Sequence, residues 1–200
     1  MNRLASSLRT LAAGAVLVLA ANDALACACC SDPGDYGLST IKAEDYHVTQ
    51  IESLDFAATA RLHMTDAGED AVKGVTPVLD SYGVVVERDA IGWRFTFRTD
   101  DGKTGVLTLP MPIKLTTFAA DIHDGATSAG GGPLLYKEWR FEGTAMGNGI
   151  FVRGPLPCTL IFQGRGNRCD NASDFSHWRL DVQGKQADFA FFGELTSHAK

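Results

Sequence analysis

Apolar and polar residues alternate through most of this chain, and that period limits what it can fold into. In GWRFTFR, residues 92–98, Trp93, Phe95 and Phe97 share one parity, and Arg94, Thr96 and Arg98 share the other. Trp139 and Phe141 alternate with Glu138, Arg140 and Glu142, and Trp178, Leu180 and Val182 alternate with His177, Arg179 and Asp181. Successive side chains of a strand point to opposite faces, so each segment reads as a strand with one packed and one wet face. Antiparallel sheets present such strands, whereas parallel sheets covered on both faces read as continuous apolar runs.

Turn chemistry agrees. Asp101-Gly102 lies between the strand ending near Arg98 and GVLTL, and Gly184-Lys185 lies between the last two strands, which predicts two hairpins. Further strands are expected at 56–64, 82–88, 113–122 and 158–163, and around 151–153. The sum is an all-β domain of about eight to ten antiparallel strands, either a β-sandwich or an up-and-down β-barrel. Helix is expected only as a turn near residues 38–46, and DGATSAGGGP, residues 124–133, reads as a loop. The aromatic residues at 93, 95, 97, 139, 141, 178, 189, 191 and 192 read as core first, and as the lining of a ligand cavity if the strands close into a barrel.

The amino-terminal text sets the compartment. Arg3 and Arg9 precede the uncharged run LAAGAVLVLAA, and Ala24-Leu25-Ala26 forms an A-x-A site, so residues 1–26 read as a signal peptide and the protein as periplasmic or secreted. The same junction ends in Ala-Cys, so a lipoprotein reading stays open, in which Cys27 carries lipid and the membrane becomes a partner; cleavage before Cys29 is a third reading. Residues 27–45 then form a cysteine-containing segment and residues 46–200 the β domain. Loss of residues 1–26 removes Arg3, Arg9 and Asp23 and moves the formal net charge from −6 to −7. An acidic chain without a basic run repels phosphate backbones, which excludes nucleic acid as an expected partner.

Five cysteines in an exported chain leave an odd one. Cys158 and Cys169 are the expected disulfide, because the strand between them runs into Gly164-Arg165-Gly166-Asn167, where the chain is expected to reverse. Cys27, Cys29 and Cys30 admit a structural bridge, a lipid or intermolecular attachment, or thiolate ligation of copper or zinc. Elsewhere one polar cluster resembles a site. ADIHDG places Asp121, His123 and Asp124 at a strand end, where an imidazole and two carboxylates can hold a divalent ion or move protons, although Asp beside glycine is also ordinary turn chemistry. His47, His63 and His177 are scattered, and His198 lies in the tail. The motifs of serine hydrolases, zinc proteases and phosphate loops do not occur.

These readings converge on an exported, non-enzymatic β-domain that binds a small ligand, a metal or another envelope protein. The rival is a secreted metal-dependent enzyme that uses Asp121, His123 and Asp124.

Overall fold

The computed structural model describes residues 28–64, 68–89, 91–111 and 114–197. Eleven strands appear among them, in the order β1 (Tyr36–Lys42), β2 (Leu54–Phe56), β3 (Thr59–His63), β4 (Ser81–Arg88), β5 (Gly92–Arg98), β6 (Thr104–Pro110), β7 (Lys114–Asp121), β8 (Leu135–Gly149), β9 (Gly154–Gly166), β10 (Phe175–Gln183) and β11 (Asp188–Ser197). One helix, α1 (Asp45–Glu52), follows β1.

Strands β3 to β6 form a meander and β8 to β11 form another. The antiparallel pairs β6–β8 and β11–β3 join the two meanders into a closed barrel of eight strands. The choice between sandwich and barrel is thus made by closure of β11 on β3 and of β6 on β8, pairings of distant segments that no local pattern announces.

β8 has 15 residues, more than its barrel neighbour β6 can cover. β6 pairs only with Met146–Asn148 and Gly149 of β8, while β9 runs along the opposite edge from Leu135 to Gly147. The exposed stretch of β8 is taken by β7, from Arg140 opposite Thr116 to Leu135 opposite Asp121, and β1 adds to β7. β7 and β1 therefore form a flap beyond one end of the barrel. β2 plays a smaller part at the carboxyl end of β11.

Aromatic rings fill the barrel. Phe95, Phe97, Trp178 and Phe191 are fully buried, with ring centroids 4.4 Å apart for Phe97 and Phe191 and 5.6 Å apart for Phe95 and Trp178. Trp93 lies 5.8 Å from Phe141. Aromatic pairs at these separations contribute about 0.5–1.5 kcal/mol each beyond their buried area. These residues are core, and the cavity-lining alternative does not describe them; Phe192, of the opposite parity, faces outward and is 37% exposed.

Three local expectations change. Residues 151–153 are the connection between β8 and β9, flanked by Gly149 and Gly154 at positive φ, and Phe151 makes only an isolated bridge to Val75. The stretch 38–46 is mostly strand, because β1 finds a partner in β7, and the helix starts only at Asp45. The strand expected over 56–64 is interrupted at residues 57–58, where the edge of β11 passes from β2 to β3.

Gly193 sits opposite Trp178 in the β10–β11 ladder, and a Cβ built there would meet the indole nitrogen at 2.7 Å and the Thr59 carbonyl at 2.9 Å. Gly193→Ala is expected to displace the Trp178 ring and lower stability by about 1–3 kcal/mol, the range for an overfilled core. Urea denaturation should show a lower midpoint at unchanged slope; an unchanged midpoint would refute the close packing of Trp178 on this backbone.

Candidate functional site

The first structural surprise concerns the cysteines. Cys169 is bonded to Cys29, 140 residues away, and Cys158 is a free thiol buried in the barrel. The expected Cys158–Cys169 bridge fails because β9 does not reverse at Gly164: it runs unbroken to Gly166, so Cys158 lies eight residues inside the strand, about 26 Å from its end at the usual rise. Burial pushes the Cys158 thiol up to about 11, against a smaller opposing effect from the Ala145 backbone, which makes it a poor nucleophile. Cys27 and the whole of residues 1–26 lie outside the described residues, as does His198. The Cys30 sulfur is 3.8 Å from the Gly130 carbonyl.

The Cys29–Cys169 bond belongs to a strap, residues 28–35, that crosses from the start of the described chain to β1. Arg168 donates its backbone N–H to the Cys29 carbonyl, and its guanidinium grips Asp35 at 2.6 and 2.7 Å. Asp121 Oδ2 accepts the Gly34 N–H at 2.9 Å, and the Asp121 N–H donates to the Asp35 carbonyl.

This accounts for much of the ADIHDG cluster. Besides Gly34, the Asp121 carboxylate accepts the backbone N–H of His123, whose φ of 54° closes the turn, and these two donors hold its pKa below the usual carboxylate range. The His123 imidazole is 3.8 Å from Asp121, but Asp124 turns to Arg165 at 2.5 Å and accepts the Ala126 N–H. The arginine, then that N–H, lower its pKa as well. Among the described residues no three His, Cys, Asp or Glu side chains gather as a metal site. The histidines do not converge: His47 is buried beside Trp139, whereas His63 and His177 are exposed on the barrel.

Between the flap and the segment carrying Cys169 lies a groove of about 430 Å³. Its floor is the inward parity of β8, namely Leu135, Lys137 and Trp139; Gly37, Ser39, Thr117 and Ala119 of the flap form one wall, and Ala28, Arg168 and Asp170 the other. Lys137 is 3% exposed, an ammonium on the core face of a strand. It donates to Asp174 at 2.7 Å and to the Cys169 carbonyl at 2.5 Å, and it lies 5.9 Å from the centre of the Phe175 ring. Asp174 reaches it because β9 carries glycine at 164 and 166. A Cβ at Gly164 would meet the Asp174 backbone at 1.8 Å, and one at Gly166 would meet its carboxylate at 2.0 Å. At the far side, His47 Nε2 stands 3.8 Å from the Asp170 carboxylate, while His47 Nδ1 accepts the Glu44 N–H.

The outward parity of β8 is less wet than its charges suggest. Glu138 is 7% exposed and accepts hydrogen bonds from Tyr136 and Gln163, with Arg140 paired to its other oxygen and stacked 5.5 Å over Phe118 of β7. Burial raises the Glu138 pKa, but these donors outweigh it and leave the group below the usual range. Its members hold one another: Tyr136, Gln163 and Arg140 all donate to the Glu138 carboxylate.

The parity of β8 was the available signal for Lys137: it stands two residues before Trp139 and so shares the packed face. Nothing local pointed to Asp174, which ends a short 3-10 turn, Ala172–Asp174, just before β10. Comparison with protein-family models, curated proteins and solved structures returns no match.

Two expectations follow. Cys29→Ser removes a bridge that closes a loop of 140 residues, and chain entropy puts the loss at about 4–5 kcal/mol. Chemical denaturation without reductant should show it, and a loss below 1 kcal/mol would mean that the strap is held by Arg168 and Asp121 alone. The second concerns acid. Asp35, Asp121, Asp124 and Glu138 all titrate below their ordinary values of 3.8 and 4.5 in the folded chain, so the unfolded chain takes up protons first. Their stabilisation is complete above that ordinary range and is lost as the pH falls through it toward the lowered values. Asp121→Asn should flatten the acid limb of a stability–pH curve; a curve parallel to the parent's would remove Asp121 from this account.

Proposed function

We propose that this chain is an exported, non-enzymatic binding protein whose site is the groove between the β1–β7 flap and residues 167–170. The observation that carries this reading is the contrast between a barrel interior packed solid with rings and a groove of about 430 Å³ whose floor combines Trp139 and Leu135 with the buried ammonium of Lys137. Binding pockets commonly pair an apolar floor with a few fixed polar groups, and this groove has that composition. Trp139 and Leu135 close the floor, each 1% exposed; Ser39 and Thr117 supply hydroxyls on the flap, and the Arg168 and Lys137 cations are held by Asp35 and Asp174. The ligand class that suits it is a small molecule with an apolar part and hydrogen-bonding groups. The metal-dependent enzyme reading loses ground, since Asp124 is committed to Arg165 and Asp121 to backbone donors. Cys27, Cys29 and Cys30 as copper or zinc ligands would require Cys29 reduced, because in this structure its sulfur is bonded to Cys169.

Gly37 supplies the test. It lines the groove, and a Cβ built on it meets nothing within 4 Å, so a larger side chain enters the groove without disturbing the sheet. Anilinonaphthalene sulfonate, an aromatic anion, should bind the folded protein, and Gly37→Leu should weaken that binding by about tenfold or more, or about 1.4 kcal/mol, with an unchanged thermal midpoint. Equal binding by the variant would place the dye elsewhere and remove the groove from this account.

A further inference from the structure

The groove between the flap and residues 167–170 holds more acid than base once its ion pairs are set aside. Three charged residues line it, Lys137, Arg168 and Asp170. Both cations already have carboxylate partners: Lys137 donates to Asp174 at 2.7 Å, and Arg168 grips Asp35 at 2.6 and 2.7 Å. Asp170 differs. Its side chain is 43% exposed, and no lysine or arginine pairs with it among the described residues. His47 Nε2 stands 3.8 Å from its carboxylate, beyond hydrogen-bond reach. His47 Nδ1 accepts the Glu44 N–H, and a ring that accepts there is the neutral imidazole, so it does not offset the Asp170 charge.

The surroundings add acid rather than base. On the strap, Asp32 adds a second carboxylate to the field at Arg168. Glu44 and Asp45 are exposed at the start of α1, whose Tyr46 hydroxyl donates to the Asp170 carbonyl. The cations of the flap lie on its other face: Lys114 and Arg140 line a separate cleft with Thr40 and Thr116, and Lys42 shares the parity of Thr40. Ser39 and Thr117, of the opposite parity, face the groove.

We infer that the groove selects a small organic cation, an amine with an apolar tail, whose ammonium pairs with Asp170. This rests on the binding role proposed for the groove and adds the charge of its ligand. An ammonium entering here meets a carboxylate that has no cationic partner, and it breaks no existing ion pair. An anion would have to separate Lys137 from Asp174 or Arg168 from Asp35, and it would face Asp170 as a like charge. Lys137 is 3% exposed, and a buried pair that loses one partner leaves an uncompensated charge. The tail would lie along Gly37 and Ala119, over the floor made by Leu135 and Trp139. The formal net charge of −6 also draws cations toward the protein.

The test uses three probes with one tail and different heads, phenylbutylamine, phenylbutanol and phenylbutyrate, titrated calorimetrically into the whole purified protein. At neutral pH and low salt the amine should bind about tenfold more tightly than the acid, with the alcohol between them, and added salt should narrow the spread. Asp170→Asn should weaken the amine about fivefold, the upper range for a partly exposed ion pair, and leave the alcohol unchanged. The same variant should strengthen anilinonaphthalene sulfonate, whose charge Asp170 repels. Asp170→Glu keeps the charge and should keep the order of the three probes, which separates loss of charge from loss of fold. Equal binding of amine and alcohol by the parent, or an amine preference that Asp170→Asn leaves intact, overturns the inference while the groove reading stands. No binding of the alcohol, or alcohol binding that Gly37→Leu leaves unchanged, removes the groove reading and the preference with it.

Discussion

The length of β8 governs the rest of this molecule. A strand whose ladder groups are left unpaired inside a fold costs free energy, and β8 extends well past the end of β6. β9 satisfies one of its edges along nearly the whole length, but the other edge needs a second neighbour, which β7 provides. That substitution turns β7 and β1 away from the barrel and opens the groove on their inner face. A shorter β8 would close the same barrel and leave no flap. The inward parity of the overhang consequently serves two environments: Phe141 meets Trp93 inside the barrel, whereas Leu135 and Lys137 floor the groove.

Lys137 shows what that position costs and how the fold compensates. A buried ammonium is tolerated only with close partners, and removal of one partner from such a pair typically costs about 3–5 kcal/mol. Asp174 and the Cys169 carbonyl supply them, and both belong to the segment that the Cys29 disulfide ties to the strap. Arg168, in the same segment, grips Asp35 at the foot of β1. One short piece of chain, residues 168–174, therefore neutralises the groove floor, anchors the strap and fixes the start of the flap. The glycines at 164 and 166 are part of the same arrangement, because side chains there would occupy the space that Asp174 takes.

The sequence showed the strands more clearly than the site, for a physical reason. Trp93, Phe95 and Phe97, or Trp178, Leu180 and Val182, repeat at the period of a pleated strand, and burial of one face enforces that period locally. The hairpins at Asp101-Gly102 and Gly184-Lys185 were legible because turn geometry is a property of adjacent residues. Cys169 illustrates the opposite case. Its nearest cysteine in the β domain is Cys158, yet the partner is Cys29, since the pairings β1–β7, β7–β8 and β8–β9 bring the strap to the end of β9 while an unbroken β9 carries Cys158 away. Asp121 and Asp124 were identified as a polar cluster from composition, but their partners Gly34 and Arg165 come from the strap and β9. Lys137 alone could have been found, by extending the parity of Trp139 back two residues.

A filled barrel moves recognition to the periphery, and here the proposed site falls beside the flap. β1 lines the groove with its inner face. A two-stranded ribbon is marginal by itself, so the order of the flap depends on β8 at one edge and on the strap at its foot, where Asp35 and Asp121 sit. A ligand held between β1 and Arg168 would restrict the flap from the inside, adding to the order that β8 and the strap impose.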